Sequence, residues 1–158
     1  MTPVRKRGLV VTVIGLCQIF AWGSSYYLPA VLAGPIARDT GWPLAWVLGG
    51  LSVGLLVSGL VSPLAGRAIE GVGGRLVLAA SAVLLAAGLL ALALAPTLTA
   101  YAGAWGVIGL GMGAGLYDPA FSTLGHIYGE EARSLITGVT LWGGFASTVC
   151  WPLSALLA

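Results

Sequence analysis

Residues 66–75 read Gly66-Arg67-Ala68-Ile69-Glu70-Gly71-Val72-Gly73-Gly74-Arg75. This glycine-rich stretch carries three charges between two apolar runs, residues 44–65 and 76–94. Each run has about the 20 residues that a membrane-crossing helix needs. A connection this short predicts an antiparallel pair of helices, and its two arginines indicate which side of a bilayer it faces.

Composition explains why lipid is the expected solvent. Hydrophobic residues make up 58% of the chain and charged residues 8%, with a mean hydropathy of +0.99. A water-soluble domain carries about 25% charged residues, so there are too few here to cover a surface facing water. Lipid admits only helices or closed barrels. The long uncharged runs lack the alternation of barrel strands. The expected fold is therefore an all-α membrane protein with five transmembrane helices.

Upstream of the central stretch, Arg5-Lys6-Arg7 precedes an apolar run that continues to Ala37. That run exceeds the roughly 7–15 residues of a signal-peptide core, and bulky Leu16 makes Cys17 a poor lipoprotein cleavage site. An uncleaved first span over 8–31 is expected. Arg38-Asp39-Thr40-Gly41-Trp42-Pro43 forms the first break, with Trp42 suited to a membrane interface. In the second span, 44–65, Gly50, Gly54, Ser58 and Ser62 recur at every fourth residue, and Gly66 continues the stripe. Small residues at that spacing let a neighbouring helix approach closely.

Downstream, no charge occurs from Leu76 to Tyr117, about twice the length of one span. Ala95-Pro96-Thr97 marks the turn, giving spans over 76–94 and 98–126. The second of these holds Gly109/Gly113 and Gly111/Gly115, two pairs with the close-packing spacing. Gly129-Glu130-Glu131-Ala132-Arg133 is the next polar break, and 134–157 is the fifth span. Alternating the breaks places Arg5, Lys6, Arg7, Arg67, Arg75 and Arg133 on one side and Arg38 on the other. The rule that positive charge stays inside makes the amino terminus cytoplasmic. A multi-pass protein of a bacterial inner membrane is expected.

Several functions are excluded or weakened. The net charge of +2 comes without the basic patch of a nucleic-acid binder. Cys17 and Cys150 lie far apart in apolar runs and read as buried thiols, not as a metal or redox pair. His126 has no second candidate ligand nearby. No nucleotide-binding loop is present, no cofactor is implied, and the spans lack the paired acid/base or nucleophilic groups of a membrane-embedded enzyme.

The candidate functional residues lie in the first and fourth spans. Asp118 is the only acidic residue placed within a span, and ionisable groups at membrane depth usually face a cavity or a partner. Pro119 beside it weakens the backbone ladder. Gln18, Trp22, Ser25, Tyr26 and Pro29 fall at helical spacing on one face and read as a cavity lining of aromatic walls with a few polar groups.

The central stretch also resembles the loop between the second and third helices of the major facilitator superfamily. Gly66, Glu70, Gly73 and Arg75 take places in that family's pattern. Glu70 stands for Asp, Gly71 for a basic residue and Gly74 for an arginine. The segments Tyr26-Tyr27, Pro35 to Gly41 and Gly111 to Pro119 are similar to monocarboxylate- and oxalate-type members. The fifth span departs from the antiporter pattern, with Trp151 before Pro152 where a glycine is usual.

The resemblance implies a gradient-driven carrier of a small organic solute, with an organic anion as one candidate and protons as a coupling ion. It implies a conformational gate at Gly66, Glu70, Gly73 and Arg75 and a pathway lined by the first helix. Five helices match the first five of a six-helix half, so the expectation is a truncated N-terminal half, inactive alone, whose partner is the missing C-terminal half. The alternative expectation is a non-transporting membrane remnant that associates with itself or with another membrane protein.

Overall fold

Where the chain stops being helical follows from its prolines and glycines. The computed structural model describes residues 3–157. Side chains of residues 3–6, 147, 151, 153–155 and 157 lie outside the described set, and with them the readings of Arg5, Lys6 and Trp151. Helix α1 (Pro3–Ser24) is followed by α2 (Leu28–Thr40), α3 (Leu44–Val72), α4 (Gly74–Ala93), α5 (Leu98–Gly115), α6 (Tyr117–Tyr128), a 3-10 turn (Gly129–Glu131) and α7 (Ala132–Leu157). No strand occurs among the described residues.

The expected first span, 8–31, is interrupted. Pro29 has no N–H, and its ring crowds the carbonyl of Ser25 four residues earlier. The chain adjusts with a wider turn in which the Tyr27 N–H donates to the Trp22 carbonyl at 3.1 Å. Helix α2 ends at Gly41, which adopts φ 71°, a left-handed cap that glycine tolerates without strain. Thr97 opens α5, its hydroxyl accepting from the Ala100 N–H at 3.2 Å in the usual manner of a threonine cap.

The central stretch is not the extended connection its glycines suggest. Residues 66–72 belong to α3, and Gly73 alone joins it to α4. Ile69 explains the difference: it is fully buried, beside Ala65 and Val77, and this packing holds the helix together past Gly66. Gly73 then turns the chain with φ 89° and ψ 144°, a conformation in which a side chain would be strained.

Glycine contacts fix the direction of each helix. A Cβ placed on Gly109 would lie 2.5 Å from the Gly54 carbonyl oxygen, and one on Gly113 would lie 2.7 Å from that of Ser58. The matching order makes α3 and α5 parallel. On the other face of α5, Gly111 meets Leu85 and Gly115 meets Ser81, so α4 and α5 are antiparallel. Helix α5 thus sits between α3 and α4, with one pair of close-packing glycines turned to each. The second pairing is α1 with α7, where Val11 meets Gly138, Gly15 meets Trp142 and Gly23 meets Cys150. These helices are also parallel. Helix α6 contacts α3, α4 and α7 and so joins the two groups.

Most of the large apolar side chains not used in these contacts point outward. Leu56 (67% exposed), Leu60 and Leu64 form an exposed row on α3, while Val47, Gly50 and Gly54 face inward. Three segments, Arg7–Thr40, Leu44–Val72 and Gly74–Ala93, are long and apolar enough to cross a membrane by length and composition. An outer surface of this kind suits a lipid medium and would be a liability in water.

Candidate functional site

The α5–α6 break creates the site. In an unbroken helix the Gly115 carbonyl would accept from the N–H of residue 119. That residue is Pro119, which has none. The freed carbonyl accepts instead from Gln18 Nε2 of α1 at 2.8 Å, in a buried contact. The other end of the same carboxamide is also used, because Trp22 Nε1 donates to Gln18 Oε1 at 3.1 Å. One glutamine therefore fixes the α5–α6 break against α1 and sets the orientation of the Trp22 ring.

Around Trp22 the aromatic side chains converge. Its ring centroid lies 5.0 Å from that of Tyr117 and 5.3 Å from that of Tyr26, the latter edge-on. Tyr117 in turn stacks on Phe121 at 5.1 Å with an interplanar angle of 13°. Beside this cluster is a cleft of about 250 Å³, lined by Trp22, Ser58, Ser62, Tyr117 and Asp118 together with the backbone of Gly59 and Gly113. It joins α1, α3, α5 and α6. Pockets for drug-sized ligands measure roughly 300–1,000 Å³, so this cleft suits something smaller.

The structure brings some of the sequence-derived candidates together and separates others. Trp22 and Asp118 share the cleft, although they stand 96 positions apart in the chain. Gln18 and Ser25 are buried. Gln18 is committed to Gly115 and Trp22, while the Ser25 hydroxyl donates to the Ala21 carbonyl at 2.5 Å. Both position the site more than they line it. Tyr26 is exposed, on the rim of the aromatic cluster. Tyr117, Phe121, Ser58 and Ser62 were not singled out as pathway residues. The available signal was Tyr117 and Phe121, four apart and flanking Asp118-Pro119, on the same helical face as each other.

The four residues of the central stretch lie elsewhere. Gly66 and Glu70 are on the last turns of α3, Gly73 is the joint and Arg75 is in the first turn of α4. Glu70 and Arg75 are exposed and form no ion pair with each other; the one salt bridge among the described residues joins Arg7 to Glu131 at 2.5 Å. Arg75 lines a separate apolar groove of about 440 Å³ between α1, α4 and α6, with Gln18 on its wall. No group of His, Cys, Asp or Glu able to hold a metal ion occurs among the described residues. No protein-family model and no curated protein matches the sequence.

Proposed function

We propose that the chain is part of a gradient-driven membrane carrier for a small organic solute, with the cleft at the α5–α6 break as its solute-facing surface. The observation that carries this reading is the meeting of Trp22 and Tyr117 with the Asp118 carboxylate in one open cleft between helices. In this reading the polypeptide crosses the inner membrane five times, through α1–α2, α3, α4, α5–α6 and α7, with its amino terminus in the cytoplasm. The resemblance of residues 66–75 to the major facilitator superfamily supports the same reading. Carriers of that architecture hold solute between two helix bundles near the bilayer midplane. The opposite wall then comes from a second bundle.

Asp118 is the coupling group in this scheme, exchanging a proton as the solute binds or leaves. Glu70, exposed and without a partner in an ion pair among the described residues, is the gate: it pairs with the second bundle in one conformational state and so shifts the balance between states. The test is solute uptake, under an imposed pH gradient, by membrane vesicles that hold the chain joined to a second helix bundle. The expected result is gradient-driven uptake that Asp118→Asn uncouples and Glu70→Gln slows. Absence of uptake for every organic solute tried, or an Asp118→Asn variant with unaltered proton dependence, rejects the mechanism.

A further inference from the structure

We infer that the cleft selects a small organic cation, an amine or a quaternary ammonium, and rejects organic anions. This deepens the carrier reading and rests on it for the cleft's contact with solute. Charge is the first argument. Among the described residues, Asp118 is the one ionisable carboxylate lining the cleft, and no lysine, arginine or histidine lines it. Arg75 lines the different groove between α1, α4 and α6. A carboxylate substrate would therefore meet Asp118 with no cation to offset the repulsion, and a cation would find its counter-charge in place.

The walls supply the second argument. Trp22 and Tyr117 line the cleft with ring centroids 5.0 Å apart and planes inclined at 46°. The Gln18 bond to the Trp22 indole nitrogen holds that ring in place. Indole and phenol faces attract ammonium groups through their quadrupoles, and desolvation strengthens the effect. The backbone adds a third. Pro63 lies within α3 and has no N–H to donate to the carbonyl of Gly59 four residues earlier, so Gly59, a residue of the cleft wall, lacks its regular α-helical donor. A carboxylate and two aromatic side chains, beside a residue whose carbonyl lacks its regular helical donor, form an environment for a cation.

The test measures equilibrium binding to the purified chain in nanodiscs, using benzyltrimethylammonium as the probe and phenylacetate as the anionic comparator. Saturable binding of benzyltrimethylammonium is expected, with phenylacetate at least tenfold weaker. Asp118→Asn should weaken the cation at least tenfold, while Asp118→Glu retains most of the affinity. Trp22→Phe should weaken it less than Trp22→Leu. The thermal midpoint of each variant separates loss of affinity from loss of fold, and Asp118 is exposed, so Asp118→Asn is expected to melt with the parent. Equal or tighter binding of phenylacetate, no saturable binding of the cation, or cation affinity indifferent to Asp118→Asn overturns the proposal. The two readings fail separately. Cation binding as described without gradient-driven uptake sinks the carrier and leaves the site. Asp118-dependent uptake of a carboxylate sinks the cation assignment and leaves the carrier.

Discussion

Gln18 does more for the site than any residue that touches its open space. It satisfies the carbonyl that Pro119 leaves free and holds the Trp22 indole. Both contacts are away from the surface, and in a lipid medium water would be scarce, so neither partner would have a ready substitute. Gln18→Leu, close in volume and without polar atoms, should destabilise the chain by about 1–3 kcal/mol for each buried group left unpaired. Pro119→Ala gives the Gly115 carbonyl its own helical donor, so in that background Gln18→Leu should cost less. The expected signature is a coupling of about 1 kcal/mol or more between the two positions, read from thermal or denaturant unfolding in detergent. Strict additivity would dissociate the proline from the glutamine. Part of this was legible in the sequence: Gly115 and Pro119 stand four apart, and a proline within a helical run orphans the carbonyl four residues earlier. What takes that carbonyl was not legible, because Gln18 comes from a helix 97 positions away. A face of Gln18, Trp22, Ser25 and Tyr26 looks alike whether it lines a cavity or binds a neighbour.

At the scale of helices, spacing was informative where the contact is with backbone and misleading where it depends on one buried side chain. The pairs Gly109/Gly113 and Gly111/Gly115 are offset by two residues, about 200° around the helix axis, so they face different neighbours, and they meet α3 and α4 respectively. The stretch 66–75 was harder. Its glycines argue for a loop, whereas the burial of Ile69 against Val77 favours a helix that runs on to Val72. Both ends of that contact lie beyond the reach of local propensity. The glycines of α5 also allow a direct comparison. Gly109→Ala places a methyl group 2.5 Å from a backbone oxygen that cannot rotate aside, so α3 and α5 must part. Overpacking of this kind costs about 1–3 kcal/mol. Gly106→Ala, on the same helix, meets nothing within 4 Å and should be neutral or stabilising by up to about 1 kcal/mol through helix propensity. Thermal midpoints of the two variants in one detergent should therefore move apart. Equal midpoints would mean that α3 and α5 do not touch through Gly109.

The whole molecule has two unlike ends. At one, Arg7 pairs with Glu131 and the α3–α4 joint meets α6 through Gly74 and Thr123, which places Arg67, Arg75 and Arg133 at the same end. At the other, the α2–α3 turn meets the start of α5: Trp42 packs edge-on against Tyr101, whose hydroxyl donates to the Val47 carbonyl at 3.1 Å. That end carries Arg38 beside Asp39. The Arg7–Glu131 pair is half-exposed and contributes little energy; its value is as a marker of which loops lie together. In a bilayer the arginine-rich end should face the cytoplasm. In a background of Cys17→Ala and Cys150→Ala, the exposed positions Asp39 and Pro96 mark one end and Glu70 and Glu130 the other. A membrane-impermeant maleimide applied to intact spheroplasts should label Asp39→Cys and Pro96→Cys, and reach Glu70→Cys and Glu130→Cys only after lysis. The reverse pattern would turn the molecule over, moving the candidate gate to the outer face. Labelling of all four before lysis would mean that the exposed leucine rows do not hold this chain across a membrane, and the proposed carrier would lose its physical basis.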